Sequence, residues 1–174
     1  MAFLIRAALL AFVALPGAAA MAQEAEPVCP RDAQPLPAAL AGWPQRTALA
    51  AGVRANDLAA ATLTPGKGVD LALRPTPEVS YALRPERPGG SVSHGGMVAF
   101  AAPEAGTYRV ALGSAAWIDV VHDGQAMTSV AHGRGPACSG VRKMVDFGLQ
   151  PGTYILQIVG NGSAALPVMV ARLP

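Results

Sequence analysis

The sequence predicts an all-β fold: an antiparallel β-sandwich of about nine or ten short strands behind a Pro-rich amino-terminal arm. Three observations lead there. The chain holds 19 Gly and 16 Pro with only 14% charged residues, a composition that suits short strands joined by turns and disfavours a helical bundle. Apolar residues alternate with small or polar ones in short runs spaced roughly 8–12 residues apart, as in sandwiches and barrels. A Gly-Thr-Tyr segment opening a β-rich run occurs twice, at 106–108 and 152–154.

The chain opens MAFLIRAALLAFVALPGAAAMAQ. Arg6 precedes an apolar run over 7–15, Pro16 and Gly17 end it, and Ala20-Met21-Ala22 matches the A-x-A cleavage pattern. That run is shorter than the roughly 20 residues a bilayer span needs. A cleaved signal peptide over 1–22 is therefore expected, with a bacterial periplasmic or secreted mature chain from near Gln23 that carries no membrane span. No Cys sits at the cleavage site, so a lipoprotein is not expected.

Residues 23–57 read as an arm rich in Pro and Ala, with room for one short helical turn over 37–40 that Gly42 would end. Trp43 is expected to pack this arm on the body of the domain, because a lone indole is costly to leave in water. The sandwich is expected over 58–174. Its first runs are 58–63, a turn at Thr64-Pro-Gly-Lys-Gly68, and 69–73, where Val69, Leu71 and Leu73 share a face. A strand over 79–83 lies between Pro77 and Pro85, as edge strands can.

The second half is plainer. Strands are expected over 97–100, 107–112 and 116–121, the last entering the hairpin dipeptide Asp123-Gly124. Three more follow over 141–147, 153–159 and 165–170. In the repeated segment Gly permits a tight turn, and the Tyr hydroxyl can bond back to the backbone as in tyrosine corners. The two copies are read as matching edges of two sheets.

These second-half motifs, with two "G-T-Y" strands flanking an Asp-bearing strand and a "D-G" hairpin, resemble the bacterial pre-peptidase C-terminal domain. The resemblance covers roughly 97–173 and implies a secreted, jelly-roll-like sandwich appended to exported enzymes. Of the acidic residues that the family often places for calcium, only Asp119 and Asp123 have counterparts, so that site is not carried over. The segment His132-Gly-Arg-Gly-Pro-Ala-Cys-Ser-Gly-Val-Arg-Lys-Met-Val-Asp-Phe147 also resembles small exported bacterial proteins, some labelled homogentisate 1,2-dioxygenase. Members of that enzyme family are far larger cupins with a His/His/Glu iron site, whereas this chain has 3 His and no H-x-H pair.

The formal charge of +2 becomes +1 once Arg6 leaves with the leader, so no electrostatic preference for nucleic acid is expected. The 2 cysteines, Cys29 and Cys138, are expected to form a disulfide in an oxidising compartment.

Candidate chemistry concentrates in three places. The Gly/Pro segment 131–144 carries His132, Arg134, Arg142 and Lys143; its backbone and cations could meet an anionic small molecule, or the cations could simply solvate a pinned loop. His94, His122 and His132, with Met97, Met127 and Met144, offer ligands for copper, or for iron in an oxygenase-type site, assembled from distant segments. Unrelated loop histidines and core methionines are the alternative. Trp117 and Asp119 share a strand face and form either an aromatic-plus-acid patch or an ordinary outward pair. His94-Gly95-Gly96 is not followed by a G-x-S-x-G elbow, which argues against a hydrolase. The leading expectation is a non-enzymatic exported binding or accessory protein, with a small molecule or an envelope protein as partner. A small periplasmic metalloprotein or oxygenase is the alternative.

Overall fold

The computed structural model describes Cys29 and residues 34–174; the expected leader over 1–22 and its cleavage site lie outside the described residues. The strands are β1 (Arg46–Ala50), β2 (Gly68–Ala72), β3 (Arg74–Pro75), β4 (His94–Ala102), β5 (Gly106–Leu112), β6 (Trp117–His122), β7 (Gln125–Ala126), β8 (Ser129–Gly133), β9 (Lys143–Leu149), β10 (Gly152–Asn161) and β11 (Ala165–Arg172). They form a six-stranded sheet in the order β1-β2-β11-β5-β9-β8 and a five-stranded sheet in the order β3-β4-β10-β6-β7. β1 runs parallel to β2, and the other strand pairs are antiparallel. The β-sandwich expected from composition and alternation is the fold observed.

The alternation does the sorting. Phe100, Tyr154, Ile158 and Val120 of one sheet meet Leu112, Phe147, Val168 and Leu71 of the other in a single core. Arg109 on β5 and Asp146 on β9 face the other way and join in a bidentate pair at 2.7 and 2.8 Å. The outer face of the six-stranded sheet carries a second, smaller core of Leu40, Trp43, Ala111, Val141, Met169 and Ala171. Trp43 is fully buried there and donates its indole N–H to the Ser139 carbonyl at 2.9 Å. Its expected role as the anchor of the arm is what the structure shows. The short turn falls at Ala38–Leu40, and Arg46–Ala50, within the stretch read as arm, enters the sheet as β1.

Both Gly-Thr-Tyr strands begin with tyrosine corners. Tyr108 donates to the Glu104 carbonyl at 3.0 Å, and Tyr154 donates to the Gln150 carbonyl at 2.8 Å. β5 and β10 are interior strands, one in each sheet, rather than the edges that were expected. The Asp123-Gly124 hairpin is present, with φ of 48° and 72°, the two left-handed residues that a primed turn needs.

Two expected strands are absent. The stretch 58–63 makes turns, and only Thr62 bridges to Ala99. Asp57 accepts the backbone N–H groups of Val53 and Arg54, which starts a turn, and the following alanines favour its continuation over a strand. The stretch 79–83 is irregular; Pro75 and Pro77 before it and Pro85 and Pro88 after it remove donors on both sides and leave no room to extend a ladder. It forms part of a strap, 79–93, across the outer face of the five-stranded sheet. The side-chain amide of the fully buried Gln157 replaces the missing ladder, accepting from Leu83 N–H at 2.8 Å and donating to Leu83 C=O at 3.0 Å. Tyr81 bonds the Ile158 carbonyl at 3.0 Å. A Cβ at Gly95 would collide with the Tyr81 hydroxyl, so the glycines after His94 serve backbone approach rather than an oxyanion loop.

Candidate functional site

The two sheets are not joined along the side where β6 and β7 face β8 and β9. The β6–β7 pairing spans only Val121–Ala126 and His122–Gln125, and β8 ends the six-stranded sheet. A cleft of about 530 Å³ opens between these edges. Ile118, Met127, Val145 and Phe147 supply apolar walls, and Glu86, Trp117, Asp119, Ser129, His132 and Lys143 supply polar groups. Its volume lies within the range of small-molecule sites, about 300–1,000 Å³.

Trp117 is tied on several sides. Its indole N–H donates to Asp119 Oδ1 at 3.0 Å, while the Arg87 guanidinium and Lys143 Nζ lie 5.1 and 5.7 Å from its ring centroid. Asp119 points outward, as alternation requires, but the outer face here lies beneath the strap, which leaves Asp119 half-buried. Its Oδ2 is buried with no hydrogen-bond partner among the described residues. Burial pushes the Asp119 carboxyl above the usual carboxylate range, against the Trp117 and Gln157 side chains and the Lys143 charge, and nearby Glu86 adds to the rise. Lys143 donates to the Ala116 carbonyl at 2.8 Å; burial and then Arg87 lower its pKa, and Asp119 partly offsets them. Burial carries the Tyr81 hydroxyl up to about 12, with a further push from Asp119.

Five of the residues singled out in the sequence, Trp117, Asp119, Met127, His132 and Lys143, thus line one cleft. Arg134 and Arg142 do not line it; both are exposed on the connection between β8 and β9. That connection is shorter than the expected loop, because Ser129–Gly133 pairs with β9 and places His132 on a strand. It is held by the Trp43–Ser139 bond and by the disulfide between Cys29 and Cys138, whose Cα atoms are 5.7 Å apart. Cys138 takes a left-handed φ of 61° in a turn closed by the Ser139 side chain on the Pro136 carbonyl.

The three histidines do not converge. His94 stands opposite Asn161 at one end of β10, while His122 Nδ1 donates to the Thr153 carbonyl near the other end, at 2.9 Å. That is about 26 Å of strand at 3.3 Å per residue. His132 belongs to the other sheet. His122 stacks on Tyr154 at 4.6 Å, and His94 Nδ1 is buried without a hydrogen-bond partner among the described residues. Among the described residues no group of three or more His, Cys, Asp or Glu side chains is arranged to hold a metal ion. Asn161, part of a glycosylation sequon, is buried and bonded to Ser114 and Ser163 at 2.6 Å each, a structural role in the turn.

Sequence reasoning missed Glu86, Ser129, Val145 and Phe147 as cleft residues. Phe147 and Val145 read as ordinary core alternation, which they also are. Glu86 reaches the site through the strap, which carries no periodic signal. No family model matches this chain, and no curated protein is significantly similar to it.

Proposed function

We propose that this chain is an exported binding or accessory protein that holds a small organic molecule in the cleft between the open edges of its two sheets. The observation that carries this reading is the convergence of Trp117, Asp119, His132 and Lys143, drawn from three strands, around one apolar-walled cavity of about 530 Å³. Ligand sites have this make-up: apolar walls for affinity and a few polar groups for orientation. The strap and the pinned β8–β9 connection support the walls, which favours a preformed site over one assembled on binding. The disulfide agrees with an oxidising, extracytoplasmic setting.

The test fills the mouth. Ala126 is exposed and lines the cleft, so A126W should occupy it while leaving the core intact. A neutral naphthalene methanol probe, followed by calorimetry, should bind the native protein and lose about tenfold or more in affinity to A126W, at unchanged thermal stability. Absence of binding, or equal binding by A126W, contradicts the proposal.

A further inference from the structure

Resting on that reading, the charge of the ligand follows from which polar groups of the cleft are still available to it. Asp119 is the acid nearest the apolar walls, but Oδ1 accepts the Trp117 indole and Oδ2 is enclosed away from solvent. Neither oxygen is presented to an incoming molecule. Glu86 stands on the exposed strap, free to turn outward. Lys143 differs. An ammonium has three donors; one goes to the Ala116 carbonyl, and the other two have no acceptor among the described residues. The stem of Lys143 is fixed at the start of β9 beside Trp117, so the remaining donors are placed before any ligand arrives. Arg87, over the same indole, adds to the positive side.

We infer that the cleft selects a small organic anion, its apolar, ring-sized body against Ile118, Met127 and Phe147 and its carboxylate on Lys143 Nζ. An amine would meet the half-buried ammonium with only the exposed, unfixed Glu86 to offset it. A neutral molecule of the same shape would gain the apolar contacts alone. The geometry also limits the head group: one lysine with two free donors suits a carboxylate better than a phosphate, for which a fork of arginine donors is the stronger partner.

Three probes of one shape separate these cases at neutral pH: naphthalene carboxylate, naphthalene methanol and naphthalene methylamine, each titrated calorimetrically into the native protein. The carboxylate should bind about tenfold or more tightly than the amine, as a charge-assisted hydrogen bond against a charge repulsion requires, with the alcohol between them. K143M should erase the margin between carboxylate and alcohol, and K143R should keep most of it. Equal affinity for all three probes overturns the inference and leaves binding in the cleft standing. Failure of all three to bind removes the binding reading and the inference with it. A carboxylate preference that survives K143M places the charge recognition elsewhere. The comparison on the native protein decides the sign of the preference even if K143M proves unstable.

Discussion

At the scale of single residues, Asp119 shows how a strand position can be legible and still be misplaced. Alternation puts it on the outer face beside Trp117, and it is there. Its burial depends on the strap, whose path is set by proline positions and by one glutamine amide, and no periodicity encodes that. The consequence is a pH dependence of stability. An acid whose folded pKa lies above its unfolded value leaves stability intact below the ordinary carboxylate range, where both states are protonated. That stability is lost as pH rises through the window up to the raised value. D119N keeps an acceptor for the Trp117 indole and removes the charge. Melting curves of D119N and the native protein should coincide in acid and diverge through that window, with D119N the more stable at neutral pH. A D119N protein less stable than native at neutral pH would contradict this, showing that the carboxylate's contacts outweigh the cost of its burial.

At the scale of elements, the legible parts are those whose local chemistry and tertiary role agree. The Asp123-Gly124 turn, the two Gly-Thr-Tyr corners and strands β4, β5, β6, β9, β10 and β11 satisfy turn preference, β propensity and alternation together. β8 was illegible because Ser-Val-Ala-His-Gly carries no apolar face; all five residues are exposed, and pairing with β9 alone defines it. The run at 58–63 misleads in the opposite sense, since its alanines suit a turn as well as a strand and Asp57 decides between them. The corners differ in depth. Tyr154 both donates to Gln150 C=O and accepts from Gln150 N–H at 3.1 Å, whereas Tyr108 makes one such bond. Y108F should cost about 1 kcal/mol and Y154F about 1–2 kcal/mol in urea unfolding. A Y108F cost equal to or larger than that of Y154F would deny the second bond any weight.

At the scale of the whole molecule, the sandwich is closed differently on its two flanks. The open edge of β4 is covered by the segment after β1, through Gly52–Met97 and Thr62–Ala99 bridges. The β6–β8 flank is left as the cleft. The outer face of the six-stranded sheet is sealed by Leu40 and Trp43, and the disulfide ties Cys29 to the β8–β9 connection across 109 residues of sequence. On the chain-entropy model a loop of that length contributes about 4–5 kcal/mol. Urea unfolding of the oxidised protein against C29A/C138A should show a loss of that order, together with a loosened β8–β9 connection; a difference near zero would assign the arm's attachment to Trp43 alone.

The central claim is that ligand enters between the open sheet edges, and amide chemical-shift mapping tests it most directly. Titration of the isotope-labelled protein with naphthalene methanol should move the resonances of 117–119, 126–133 and 143–147 and leave those of 134–140, 94–97 and 152–154 in place. Shifts confined to the β8–β9 connection, or gathered around His94 or His122, would contradict it.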